Sequence, residues 1–112
     1  MPHFVIEYSL ELADDGQVET MLDTVYQAAL ETALFDAGHI RLRAVPLRHY
    51  RNGSGGPFVH AQLRIKPGRS DAQKKGLSAA VLGALRDQGW AATVMTVEVV
   101  EMDAESYAKH PN

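Results

Sequence analysis

The stretch FVHAQLRIK, residues 58–66, decides the fold, because its apolar and polar residues alternate without interruption. A period of two residues places successive side chains on opposite faces of a β-strand. The residues expected to face a core are Val59, Ala61, Leu63 and Ile65. The residues expected on the opposite face are His60, Gln62, Arg64 and Lys66. The sequence therefore predicts a strand with one buried face and one polar face.

A helix and a further strand follow this stretch. Ser70 and Gln73 have the spacing of a capping box, which begins a helix. The apolar stripe of that helix consists of Leu77, Ala80, Val81, Ala84 and Leu85. Gly89 ends the helix, and residues 93–102 are rich in β-branched side chains, as is typical of a strand. Residues 58–102 thus predict a strand–helix–strand unit.

The first half of the chain has the same order of elements. Residues 3–8 alternate as a strand, and the Asp14-Asp15-Gly16 segment offers helix-capping chemistry. The apolar stripe of the predicted helix comprises Val18, Met21, Leu22, Val25, Ala29 and Ala33. Gly38 is the expected end of this helix, and residues 40–45 predict a second strand.

These patterns predict one domain, residues 1–112, of the α+β class. It comprises a βαβ unit at about 2–47, a glycine-rich loop at about 51–57, a second βαβ unit at about 58–102 and a short tail at 103–112. Crossovers between parallel strands are right-handed, so both helices should cover one face of a four-stranded mixed sheet. The other face must be solvated or covered by another subunit.

Composition excludes several classes of protein. No apolar run approaches the ~20 residues that cross a bilayer, and the N-terminus lacks an export signal, so we expect no membrane association. The net charge is −3 and the basic residues are scattered, which argues against a nucleic-acid partner. The chain has no cysteine, which agrees with a cytoplasmic location.

Cofactor and metal motifs are also missing from the sequence. The five histidines show no metal-ligand spacing, and the glycines of the 51–57 loop lie between two strands instead of between a strand and a helix. Ser70 is explained as a helix cap without any nucleophilic role. We therefore expect neither a metal nor a cofactor.

Pro2 is a candidate catalytic base. If Met1 is removed, Pro2 becomes a secondary amine, and burial or a cationic neighbour would lower its pKa towards neutrality. If Met1 is retained, Pro2 is an amide without a basic nitrogen. From the pattern alone, a proline that merely begins a strand is the commoner explanation.

Three arginines are candidate anion-binding residues. Arg41 and Arg43 share one face of a predicted strand, and each could hold a carboxylate or simply face solvent. Arg69 immediately precedes the Ser70 cap, where its charge would add to the positive end of the helix dipole. An exposed turn residue is an equally good explanation of Arg69.

Three blocks of sequence together resemble the 5-carboxymethyl-2-hydroxymuconate isomerase family of the tautomerase superfamily. They are MPHFVIE at 1–7, GHIRLR at 38–43, and FVH at 58–60 with GRS at 68–70. The resemblance covers almost the whole chain and implies a homotrimer of two-βαβ subunits that works without cofactor or metal.

The resemblance also implies an activity and its site. It implies ketonisation of a polycarboxylated enol in aromatic-compound degradation, with Pro2 as proton carrier and Arg41 and Arg69 binding the anionic substrate; Arg43 is a weaker substrate-binding candidate. Alternatives are another proline-dependent reaction of the superfamily, namely a hydratase, decarboxylase or dehalogenase, or a non-catalytic trimeric binding protein.

Overall fold

Two strand–helix–strand units, alike in the order of their elements, build the protein. The computed structural model describes residues 1–111. The first unit contains β1 (His3–Ser9), α1 (Asp15–Glu31) and β2 (Arg41–Leu47), and the second contains β3 (Phe58–Ile65), α2 (Asp71–Arg86) and β4 (Val94–Glu101). Short 3-10 helices span Leu10–Leu12 and Ala37–His39. Within the described residues, neither α-helix combines the length and apolar character needed to cross a membrane.

The strands form one mixed sheet in the order β2-β1-β3-β4. The pairs within each unit are parallel, whereas the central pair, β1 with β3, is antiparallel and places Ile6 opposite Ala61. Both helices pack on the same face of this sheet and against each other. The α+β class, the mixed sheet and the placement of the helices are confirmed.

The core lies between this sheet and the two helices. The alternation in residues 58–66 is confirmed, because Val59, Ala61, Leu63 and Ile65 are buried. The other buried residues of the sheet and helices include Phe4, Ile6, Tyr8, Met21, Val25, Ala29, Leu77, Val81, Ala84 and Leu85. We call the opposite side of the sheet, with the row His60, Gln62 and Arg64, the outer face.

Both α-helices begin with the caps that the sequence indicates. The Asp14 carboxylate accepts the backbone N–H of Gln17, and the Gln17 side chain accepts the backbone N–H of Asp14. Ser70 and Gln73 form the same reciprocal pair at the start of α2. Each box satisfies N–H groups that have no partner inside the helix, and so it fixes where the helix starts.

The predicted end of α1 is wrong, because α1 stops at Glu31 and Gly38 lies in a 3-10 helix. The Thr32 hydroxyl donates to the Ala29 carbonyl at 2.6 Å, and Ala33 then adopts a left-handed conformation with φ of 61°. A threonine hydroxyl competes for helix carbonyls in this way, and a left-handed residue reverses the chain. Ala33 therefore leaves the helical stripe, and residues 33–36 turn towards the start of β1.

Candidate active site

Pro2 lies at the start of β1, in the wall of a cavity. The residue is buried, and its carbonyl accepts the backbone N–H of Arg41 at 3.0 Å, which links the beginnings of β1 and β2. The cavity has a volume of about 350 Å³. Its lining residues are Met1, Pro2, Ala33, Leu34, Phe35, Asp36, His39, Ile65, Lys66, Arg69 and Lys109.

The turn after α1 supplies one wall of the cavity. The left-handed Ala33 directs Leu34 and Phe35 to the cavity. The Phe35 ring meets the buried Phe4 ring edge-on, with 6.0 Å between centroids. This packing anchors the wall to the core directly beside Pro2.

Arg69 is held against that wall. Its guanidinium lies 5.3 Å from the centroid of the Phe35 ring, and its Nη2 donates to the Leu34 carbonyl at 2.5 Å. A guanidinium has five N–H donors in a planar fork, so one carbonyl leaves others free to bind a carboxylate. Arg69 is thus a half-buried cation with a fixed orientation at the cavity.

Two lysines that the sequence did not single out also line the cavity. Lys66 follows β3, and Lys109 arrives from the segment after β4. Lys66 belonged to the predicted polar row, so the strand pattern already indicated a charged side chain at the end of this strand. Lys109 belongs to no pattern, and only the path of the chain places it there.

Burial and the positive charge around Pro2 both act on the amine at the N-terminus. The pKa of the Met1 amine is lowered, first by burial and then by the charges of Lys66, Lys109, Arg41 and Arg69. The single acidic residue in the lining of the described cavity is Asp36, which lies 3.7 Å from the His39 ring nitrogen Nδ1. The cavity therefore favours a neutral amine and an anionic ligand.

Arg41 and Arg43 are the other two predicted arginines. Neither is among the residues of 1–111 that line this cavity. Arg41 donates to the Gly38 carbonyl at 2.7 Å, and Arg43 lies with its Nη1 3.2 Å from Nδ1 of His3. Both belong to β2, and their side chains alternate onto the outer face, as does that of His3. The structure thus brings Pro2 and Arg69 together, while Arg41 influences the amine through its charge.

Metal-ligating side chains do not gather in the part of the chain that the structure describes. Within residues 1–111, no three or more His, Cys, Asp or Glu side chains lie in a group that could hold a metal ion.

A family model described as 5-carboxymethyl-2-hydroxymuconate isomerase matches residues 2–112. The chain belongs to the 5-carboxymethyl-2-hydroxymuconate isomerase family. This membership confirms the resemblance seen in the three sequence blocks, and it makes the chain an isomerase of the tautomerase superfamily. No curated protein sequence matches the chain.

Solved structures agree with the family. A 5-carboxymethyl-2-hydroxymuconate isomerase from Deinococcus radiodurans R1 is 26% identical, with a TM-score of 0.85 over 99% of this chain and 90% of that one. A 5-carboxymethyl-2-hydroxymuconate delta-isomerase is also 26% identical, with a TM-score of 0.82 over 97% and 87%. A fused 4-OT symmetric trimer has the same fold at 14% identity, with a TM-score of 0.83 over 97% and 93%.

Proposed function

We propose that this isomerase ketonises 5-carboxymethyl-2-hydroxymuconate or a similar polycarboxylated enol in the degradation of aromatic compounds, with Pro2 as the proton carrier. The observation that carries the proposal is a buried proline at the chain start inside a cavity that Lys66, Arg69 and Lys109 also line. A substrate of this name bears three carboxylates, which matches the three cationic side chains in number and sign.

Pro2 acts as the base in a chain that has lost Met1. Its freed secondary amine takes the proton of the substrate's 2-hydroxyl, the O–H electrons form the carbonyl, and the conjugated double bond moves along the chain. The carbon at the far end of that system takes a proton from the prolinium. The amine returns to its neutral form, so the reaction consumes no co-reactant. The burial and cations that lower the pKa of the Met1 amine support a neutral Pro2 amine at neutral pH.

Arg69 stabilises negative charge on the substrate. Its guanidinium is fixed by Phe35 and by the Leu34 carbonyl, so it does not have to reorganise when the 2-oxygen or a carboxylate becomes bound. Preorganised donors of this kind contribute roughly 3–4 kcal/mol to catalysis in enzymes where one donor has been removed.

The proposal includes a homotrimer in which Arg41 also binds substrate. Arg41 would reach a cavity by releasing the Gly38 carbonyl or by entering the site of an adjacent subunit. In one chain the two helices leave the outer face of the sheet uncovered, so most of this face can contact an adjacent subunit. Arg43, which contacts His3, has a weaker claim to a binding role. A cytoplasmic location stays a prediction.

The test compares three preparations of the protein whose intact masses have been measured. The first is the processed chain that begins with Pro2, the second retains one residue before Pro2, and the third is Pro2→Ala. The second preparation keeps the proline ring but converts its nitrogen to an amide. We expect ketonisation, followed by ultraviolet absorbance, in the first preparation only, with a loss of at least about a hundredfold in the others.

Equal turnover by the processed and the extended chains would overturn the role of Pro2. Loss of carbon dioxide from the substrate, gain of water, or release of halide from a halogenated acid supplied in its place would replace ketonisation by a decarboxylase, hydratase or dehalogenase reaction. Carboxylate binding without any turnover would leave a binding protein.

A further inference from the structure

The segment after β4 crosses the end of the sheet and reaches the cavity. The backbone N–H of Met102 donates to the Ile65 carbonyl at 2.7 Å, which extends the pairing of β4 with β3 by one residue. Asp103 then organises a tight turn, accepting the Ser106 hydroxyl at 2.8 Å and the backbone N–H of Tyr107 at 3.1 Å. We call residues 103–109 the tail hook.

Tyr107 fastens the tail hook to β1 and to the residue that follows β3. Its hydroxyl lies 2.9 Å from Nε2 of His3 on β1, and the Nζ of Lys66 lies 5.5 Å from the centroid of its ring. Arg43 can only donate, so the His3 nitrogen Nδ1 that faces it must accept. His3 is therefore the neutral tautomer with its proton on Nε2, and it donates that proton to the Tyr107 hydroxyl.

This attachment determines where Lys109 lies. Two residues after the fixed Tyr107, Lys109 lines the same cavity as Pro2 and Arg69. Within residues 1–111, neither Lys109 nor Lys66 forms an ion pair through its own ammonium with a carboxylate. An ammonium at a cavity that has no carboxylate partner among these residues is available to an anionic ligand.

We propose that Lys109 is a specificity-determining residue that binds a third carboxylate of the substrate, and that Tyr107 is the residue that positions it. The substrate class rests on the proposed function. Arg69 and Lys66 supply cations for two carboxylates, and Lys109 supplies the cation that separates tricarboxylates from dicarboxylates.

Binding of two inert probes tests this without any chemical step. Propane-1,2,3-tricarboxylate and glutarate differ by one carboxylate, and neither contains the enol that Pro2 would deprotonate. Isothermal titration calorimetry measures the ratio of their dissociation constants for the processed protein and for Lys109→Gln. We expect tricarboxylate binding to weaken roughly tenfold to a hundredfold, as for loss of a charge-assisted hydrogen bond, and glutarate binding to change less than about twofold.

Lys75→Gln is the matched control, because it removes the same charge from an exposed position on α2, outside the cavity lining. We expect it to leave both dissociation constants unchanged. Unchanged tricarboxylate binding in Lys109→Gln, equal weakening of both probes, or the same selectivity loss in Lys75→Gln would overturn the role of Lys109. None of these outcomes depends on whether Pro2 is the base.

Tyr107→Phe tests the positioning role, since it removes only the hydroxyl that contacts His3. We expect part of the selectivity loss of Lys109→Gln, and no additional loss when both substitutions are combined, because a positioning residue acts through Lys109. With the natural enol substrate, the effect should be on KM and not on kcat. Additive losses in the double variant, or an effect on kcat alone, would overturn the positioning role.

Discussion

The guanidinium of Arg69 lies 5.3 Å from the centre of the Phe35 ring, so a charged side chain rests on an aromatic face at the cavity. Phe35 in turn packs edge-on against Phe4, which is fully buried in β1 two residues after Pro2. A cation over an aromatic face gains about 0.5–2 kcal/mol and loses freedom of orientation. The core thus fixes the direction of the arginine that the proposed chemistry needs most.

Arg69→Lys keeps the positive charge but removes the planar fork and its stacking on Phe35. We expect kcat/KM for a polycarboxylated enol to decrease at least roughly tenfold, because a single ammonium cannot hold a carboxylate in two parallel hydrogen bonds. Steady-state kinetics with ultraviolet detection measures this. Arg86→Lys, in the last turn of α2, is the matched control and should retain full activity. Equal activity of Arg69→Lys and the control would contradict the role of Arg69.

Lys66→Gln should move the acidic limb of the pH–rate profile to higher pH. Among the charged side chains, Lys66 contributes most to the lowered pKa of the Met1 amine, after burial, and it lines the same cavity as Pro2. Loss of this charge raises the amine pKa, so a larger fraction of the base is protonated at a given pH. The profile of kcat/KM for the processed chain, with Lys75→Gln beside it, measures the shift. If the acidic limb of the profile does not move in Lys66→Gln, that limb reports the titration of a group other than the N-terminal amine.

His3 should make folding stability depend on pH below neutrality. Burial, and then the neighbouring charges of Arg43, the N-terminal amine, Arg41 and Arg64, lower the pKa of His3 below its ordinary value of about 6.5. The unfolded chain therefore binds more protons between the two pKa values. Stability falls as pH falls through about 6.5 and levels off below the folded pKa.

Urea unfolding between pH 7.5 and 4.5, at one protein concentration, measures this dependence. His3→Gln keeps a donor for Tyr107 but cannot titrate, so we expect it to flatten the curve by less than about 1 kcal/mol, given partial exposure of the site. His49→Gln, at an exposed position after β2, should keep the original slope. The same flattening in both variants would exclude His3 as its source.

Ala33→Gly should stabilise the protein. Ala33 has φ of 61°, a left-handed conformation that strains residues with a Cβ atom by roughly 1–2 kcal/mol, whereas glycine adopts it freely. After the entropy that glycine loses on folding, we expect a net gain of about 0.5–1 kcal/mol in the free energy of unfolding. The control is Ala13→Gly, at an extended residue with φ of −147°, which should destabilise the protein. Destabilisation by Ala33→Gly would contradict strain at this turn.

The sequence by itself determined the order and type of the elements. Apolar periodicity and capping chemistry are local properties, and a residue such as Ser70 satisfies helix N–H groups three positions away whatever the rest of the chain does. The end of α1 could not be predicted in this way. There the Thr32 hydroxyl and a left-handed alanine, instead of a glycine, stop the helix.

Tertiary structure decided which cations surround Pro2. Arg69 lines the same cavity as Pro2 because β1 pairs with β3, and residues 33–36 join them because α1 stops early. Lys109 carries no local signal and is placed by Tyr107, whose contact with His3 spans 104 positions. Side chains without a period or a motif obtain their neighbours only from long-range pairing. The sequence could therefore indicate the proline and the family, whereas only the fold could assemble the charge around it.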